Sequence, residues 1–241
     1  MTQILDQIAE SRRNPFRPAS PDDYFALRLA HRLGEPEAAA HYALLASQYP
    51  QEKLIAAFRK ATCGEPRAKA GRTFHEYLRP DRNGNGGLPR PRLLALRVER
   101  RTIAVAVFAG THLEGRRVLQ LSSNPARAES SAASFIRSVL SQADCKSVAI
   151  ETAPDQTDIL RSVLHRAIVA QIRATSISLW EISKKTLLGA LGYPPLRSRR
   201  ELRDAALSIW PLPNLKRTQM CALDAFALGL FVQTERLFNN F

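Results

Sequence analysis

The stretch 93-LLALRVERRTIAVAVFAG-110 holds two apolar segments, Leu93–Val98 and Thr102–Phe108, that meet at the charged cluster Arg97–Arg101. Its β-branched residues and tight charged centre predict two strands folded back on each other. A third strand is expected at 116–124 (RRVLQLSSN). Beyond it, 127–143 places Phe135, Ile136, Val139 and Leu140 on one helical face. The segment 146-KSVAIE-151 is short, continuously apolar and ends in a carboxylate, the pattern of a buried central strand. An amphipathic helix is expected at 155–174, a fifth strand at 176–182, and two further helices in RSRRELRDAALSIW and TQMCALDAFALGLFVQTERLF. A three-stranded meander followed by alternating helix and strand predicts an α/β fold: a mixed sheet with helices on its faces.

Towards the N-terminus, 79-RPDRNGNGGLPRPR-92 is too rich in Pro, Gly and Asn for regular structure. It places a linker at 81–92, with the domain boundary near residue 88. Residues 1–80 then form a small all-α region. Three short helices are expected between Pro21 and about Ala61, punctuated by Gly34, Pro50 and Gly64.

The chain of 241 residues carries 35 Lys+Arg against 22 Asp+Glu, a formal charge of +13. Residues 1–91 hold 14 basic and 10 acidic side chains, and residues 92–241 hold 21 and 12, so the excess lies mainly in the C-terminal part. An arginine-rich surplus of this size attracts polyanions, nucleic acid first among them. The apolar runs fall short of the ~20 residues that a membrane helix needs. The opening MTQILDQIAESRRNPF lacks a signal pattern, which predicts a cytoplasmic location. Cys63, Cys145 and Cys221 have neither zinc nor disulfide spacing and are expected as buried thiols. His31, His41, His75, His112 and His165 show no ligand spacing, and His112 is expected at a hairpin tip. The NGNGG run lacks the lysine and the helix that a phosphate loop requires. Ser122 and Ser123 have no nucleophile-elbow context, and Trp180 and Trp210 are expected to fill a core.

The order of four stretches resembles the RNase H-like fold, and within it the RuvC/YqgF resolvase family, over roughly Leu93 to Phe241. LALRVERRTIAVAV is similar to the family's first hairpin, SVAIE to its second acidic strand, ISKKTLLGALG to the segment after its fifth strand, and CALDAFALGL to its last helix. The resemblance places the family's first catalytic aspartate at Arg97 and the glycine of its first hairpin at Glu99. Lys184, Lys185 and Gly189 fall on matching positions. Of the two last-helix aspartates, the second matches Asp224 and the first falls on Cys221.

What the resemblance implies is phosphodiester cleavage with two divalent ions, Mg or Mn, about 4 Å apart and held by four carboxylates. Here Glu151 and Asp224 remain as catalytic and metal-ligating candidates, and Glu99 is a substitute carboxylate on the same strand face as Arg97. Glu114 and Asp155 are further acids within reach of such a site. A guanidinium repels cations and cannot ligate them, so Arg97 is expected to pair with Glu151 or Asp224. No cofactor is then expected. Lys184, Lys185, Arg197, Arg199, Arg200 and Arg203, with Arg97, are the candidate nucleic-acid contacts, and Arg12, Arg13 and Arg17 form a second basic segment. Three readings follow. One is a binder of double-stranded or branched DNA with little or no cleavage. Another is a metal-dependent structure-selective endonuclease with a rearranged carboxylate set. The third is a pseudonuclease that engages a protein partner through the N-terminal helices.

Overall fold

In a computed structural model of the chain, residues 16–63, 70–71, 73–74, 77, 92–153, 158–210 and 219–239 are described. Five strands, β1 (Arg92–Glu99), β2 (Thr102–Ala109), β3 (His112–Gln120), β4 (Ser147–Glu151) and β5 (Ser178–Ile182), form one sheet in the order β3-β2-β1-β4-β5. The β1/β2 and β2/β3 pairs are antiparallel, and β4 runs parallel to both β1 and β5. A meander of β1–β3 extended by two parallel strands is the mixed α/β sheet that the sequence predicts.

The third strand starts four residues earlier than the sequence suggests. Gly110, at φ +59°, permits a tight turn, so Ala109 pairs with His112 and β3 begins at once. His112 is therefore the first residue of an edge strand. Of the cysteines, Cys145 and Cys221 are buried but Cys63 is exposed, at the end of a helix where no described neighbour covers it.

One face of the sheet is covered by α4 (Pro125–Ala143) and α5 (Ile159–Arg173), which pack on Leu94, Leu96, Ile103, Val105, Val148 and Ile150. The opposite face, carrying Leu93, Ala95, Ala104, Ala106 and Ala149, receives α6 (Lys184–Ala190), α7 (Arg199–Ile209) and α8 (Cys221–Asn239). Small alanines on this face let α8 lie close. At Gly229 a Cβ would fall 2.2 Å from the Phe108 ring. Trp210 meets Phe108 and Phe226 edge-on, filling this core as expected.

Every residue from Cys221 to Glu235 is buried, so α8 is enclosed on all sides. Its second half is covered by α1 (Pro21–Leu33) and α3 (Gln51–Thr62), with α2 (Ala39–Gln48) packed on α1. Ser20 caps α1 by accepting from the Asp23 N–H, and Gly34 at φ +82° ends it. Phe238 stacks on Phe25 at 5.3 Å and meets Phe58 edge-on. Glu235 accepts from Arg28 at 2.6 Å and from Arg32. The helical region thus shares α8 with the sheet's core, where Tyr24 is also buried. The linker at 81–92 falls outside the described residues except for Arg92, which already belongs to β1.

Candidate functional site

Strand parity assembles the site. In β1, Leu93, Ala95, Arg97 and Glu99 face α8, and in β4 so do Ala149 and Glu151. Leu96 pairs with Ile150, which sets Arg97 and Glu151 side by side at the carboxyl edge of the sheet. The first turn of α8 brings in Asp224. On α7 the four-residue spacing puts Arg199 and Arg203 on one face, turned towards the same point.

The result is a closed lattice of guanidinium and carboxylate groups. Arg97 is 3% exposed. It donates from Nε and Nη2 to Glu99 Oε1 at 2.9 and 2.7 Å. Its Nη1 lies 2.6 Å from Glu151 Oε1, off the line of its N–H bonds and therefore an ionic contact, and its Nε is 3.5 Å from Asp224 Oδ2. Arg199 grips Glu151 with two bonds of 2.7 Å. Arg203 grips Asp224 with bonds of 3.0 and 2.8 Å. These are fork-to-fork pairs, the strong geometry for this chemistry.

Two groups not singled out in the sequence complete the arrangement. Arg161 of α5 donates to the Val98 carbonyl at 2.8 Å and approaches Glu151 to 3.8 Å. Buried His165 lies 2.8 Å from the Glu151 carbonyl. A carbonyl only accepts, so His165 Nε2 carries the proton, and burial lowers the imidazole pKa to keep it neutral. Their i, i+4 spacing on an amphipathic helix was the available signal, but it does not say which strand end the helix faces.

Both acids are ionised in this geometry, since both oxygens of each accept from guanidinium donors. Their titrations nevertheless lean in opposite directions. Burial alone would raise the Glu151 pKa, but the hydrogen bonds from Arg199 and the charges of Arg97 and Arg199 outweigh it and hold the carboxyl below its usual value. At Asp224, which is 1% exposed, burial wins and raises the pKa against the opposing arginines. A depressed carboxyl contributes stability that is present above the unfolded value, roughly pH 4.3, and lost as pH falls through the folded one. Asp224 acts with the opposite sign. Glu151→Gln is therefore expected to flatten the acid side of the stability curve, measured by urea unfolding in steps between about pH 7 and pH 3. An acid limb as steep as the wild type would show that Glu151 gains nothing from its arginines.

The donor set does not fit a divalent cation. Four guanidinium groups, those of Arg97, Arg161, Arg199 and Arg203, lie within 4 Å of Glu99, Glu151 or Asp224. The carboxylates are neutralised before any metal arrives, and an added ion would face net repulsion. Cys221, one turn before Asp224, has its thiol pushed up to about 11, chiefly by burial, so it offers no thiolate. Among the described residues no group of three His, Cys, Asp or Glu side chains is arranged to hold a metal. Glu114 is drawn off by Arg92 at 3.1 Å on the edge strand, and Asp155 lies outside the described residues.

The basic candidates divide into two sets. Arg97 is buried, and Arg199 and Arg203 are half-buried with their forks occupied by acids. Lys184, Lys185, Arg197 and Arg200 are exposed. They stand just before or within the first turns of α6 and α7, which are capped by Ser183 and Ser198. Arg100 and Arg101, in the β1–β2 turn, are exposed at this same edge, as is Arg127 in the first turn of α4. Arg17 donates to the Pro194 carbonyl, and Arg12 and Arg13 lie outside the described residues.

No family model matches the chain, and no curated protein matches its sequence. Among solved structures it is similar to Thermus thermophilus RuvC, at 13% identity and a TM-score of 0.48 over 62% of this chain and 95% of that one. It is similar over the same shares to T. thermophilus RuvC in complex with Holliday junction substrate, at 13% identity and 0.47. The yeast mitochondrial Holliday junction resolvase Ydc2 matches at 12% identity and 0.43 over 77% of this chain and 93% of that one. Among the described residues no helix is long and apolar enough to cross a membrane.

Proposed function

We propose that this chain binds double-stranded or branched nucleic acid along the carboxyl edge of its sheet, and that the lattice centred on Arg97 leaves it without efficient metal-dependent cleavage. The observation that carries this reading is the coexistence of the two sets of basic side chains. Buried ones are satisfied by Glu99, Glu151 and Asp224, while Lys184, Lys185, Arg197 and Arg200 stay exposed beside them with no ion pair among the described residues. Phosphate contacts need only positive charge and reach, so they do not depend on the acids. A net charge of +13 supplies the long-range attraction.

A labelled four-way DNA junction tests both halves of the proposal. Incubation with the protein in EDTA, magnesium and manganese is expected to give the same shifted band in each, and no cut strands. Divalent-dependent cuts that disappear with Asp224→Asn would overturn the closed-site reading. Absence of any shift at low salt would overturn nucleic-acid binding and favour a protein-interaction role.

A further inference from the structure

The far end of α8 carries a second, unrelated arrangement. Arg236 stands twelve residues beyond Asp224, where the helix crosses the amino ends of β4 and β5. Its Nη1 is buried and has no hydrogen-bond partner among the described residues. Burial lowers its pKa, with no described acid close enough to offset the effect. This contrasts with Arg28, Arg97, Arg199 and Arg203, each of which meets a carboxylate. Its neighbour Glu235 is taken by Arg28 and Arg32. A partly buried guanidinium without a counter-ion is unfavourable, and an incoming anion would relieve it.

Arg236 lines a cavity of about 430 Å³ together with Ser147, Ser178, Leu179 and Trp180. Ser147 and Ser178 are opposite each other in the β4–β5 ladder. Two residues on in each strand, Ala149 and Trp180 pair in turn and pack towards α8, so both serines share that face. Neither hydroxyl is hydrogen-bonded to another described residue. The cavity therefore offers a planar cationic fork, two rotatable donors and the wall of a half-buried indole, with room for more than one anionic group.

We propose that Arg236, Ser147 and Ser178 bind the oxyanion of a small ligand, a phosphate ester or a carboxylate, against Trp180 at the amino edge of the sheet. The guanidinium supplies two parallel N–H donors and the serines bond the remaining oxygens. This site is separate from the carboxyl edge and does not depend on nucleic-acid binding there.

The chain has two tryptophans, so Trp210→Phe leaves Trp180 as the reporter. Inorganic phosphate and acetate are titrated in parallel, with chloride holding ionic strength constant. A saturable change in emission is expected, at least tenfold weaker in Arg236→Gln. Stronger binding of phosphate assigns the site to phosphate esters, and equal or stronger binding of acetate assigns it to carboxylates. In Ser178→Asp the new carboxylate should occupy the anion's place, abolishing the response and raising the melting temperature. No saturable change, or one that survives in both variants, would overturn the proposal and reduce it to general attraction by a basic chain.

Discussion

Glu151→Gln, measured in EDTA at neutral pH, is expected to lower the unfolding free energy by about 3–5 kcal/mol. The carboxylate is 7% exposed and holds the fork of Arg199 and one arm of Arg97. Removing its charge leaves Arg97 to Glu99 and Asp224, and leaves Arg199 only its 3.8 Å approach to Asp224. An uncompensated guanidinium in a low-dielectric setting accounts for the size of the loss. The sign of the change is the informative part. In a site built to hold metals, clustered carboxylates repel one another when no ion is bound, and neutralising one relieves the strain. Such a site would make the glutamine variant more stable in EDTA, and that result would contradict a closed lattice of ion pairs. Chemical denaturation followed by circular dichroism separates the two outcomes.

Replacing Lys184, Lys185, Arg197 and Arg200 together by alanine is expected to weaken binding to a DNA junction on the order of 100-fold at low salt. It should also reduce the slope of log affinity against log salt by about 3 to 4, close to one for each phosphate that is no longer neutralised. All four are exposed, and none makes an ion pair among the described residues, so the melting temperature should hardly move. That combination distinguishes a binding defect from a folding defect. An unchanged slope would move the nucleic-acid surface elsewhere, with Arg100, Arg101 and Arg127 as the nearest alternative on the same edge.

The two variants probe neighbouring arginines that the sequence alone does not tell apart. Arg197, Arg199, Arg200 and Arg203 read as one basic run suited to phosphate. Helical periodicity groups Arg203 with Arg199 at a spacing of four and with Arg200 at a spacing of three, so it does not separate them. What each of them meets depends on how α7 crosses the sheet edge, and that crossing is set by Leu202, Ala205, Ala206 and Ile209 packing into the core shared with α8. These contacts join residues far apart in the chain, so no local pattern encodes them.

Much of the architecture was legible because it is local. The two apolar segments of Leu93–Phe108, the apolar run ending at Glu151 and the stops at Gly34 and Pro50 each act within a few residues. From these follow the strands, the helices and the α/β class, and strand parity puts Arg97, Glu99 and Glu151 on one face. The early start of β3 was missed because it turns on the positive φ of Gly110, a position where glycine permits several conformations and does not choose among them. The place of the N-terminal helices was not legible either. Amphipathic helices declare that they have an apolar face, but not which surface will cover it. Tertiary structure decided that surface, the second half of α8, and decided likewise that Arg199 and Arg203 would turn their charge to Glu151 and Asp224. Short-range sterics and periodicity belong to the sequence by itself; the pairing of charges across 21 or 48 residues exists only once the core has brought them together.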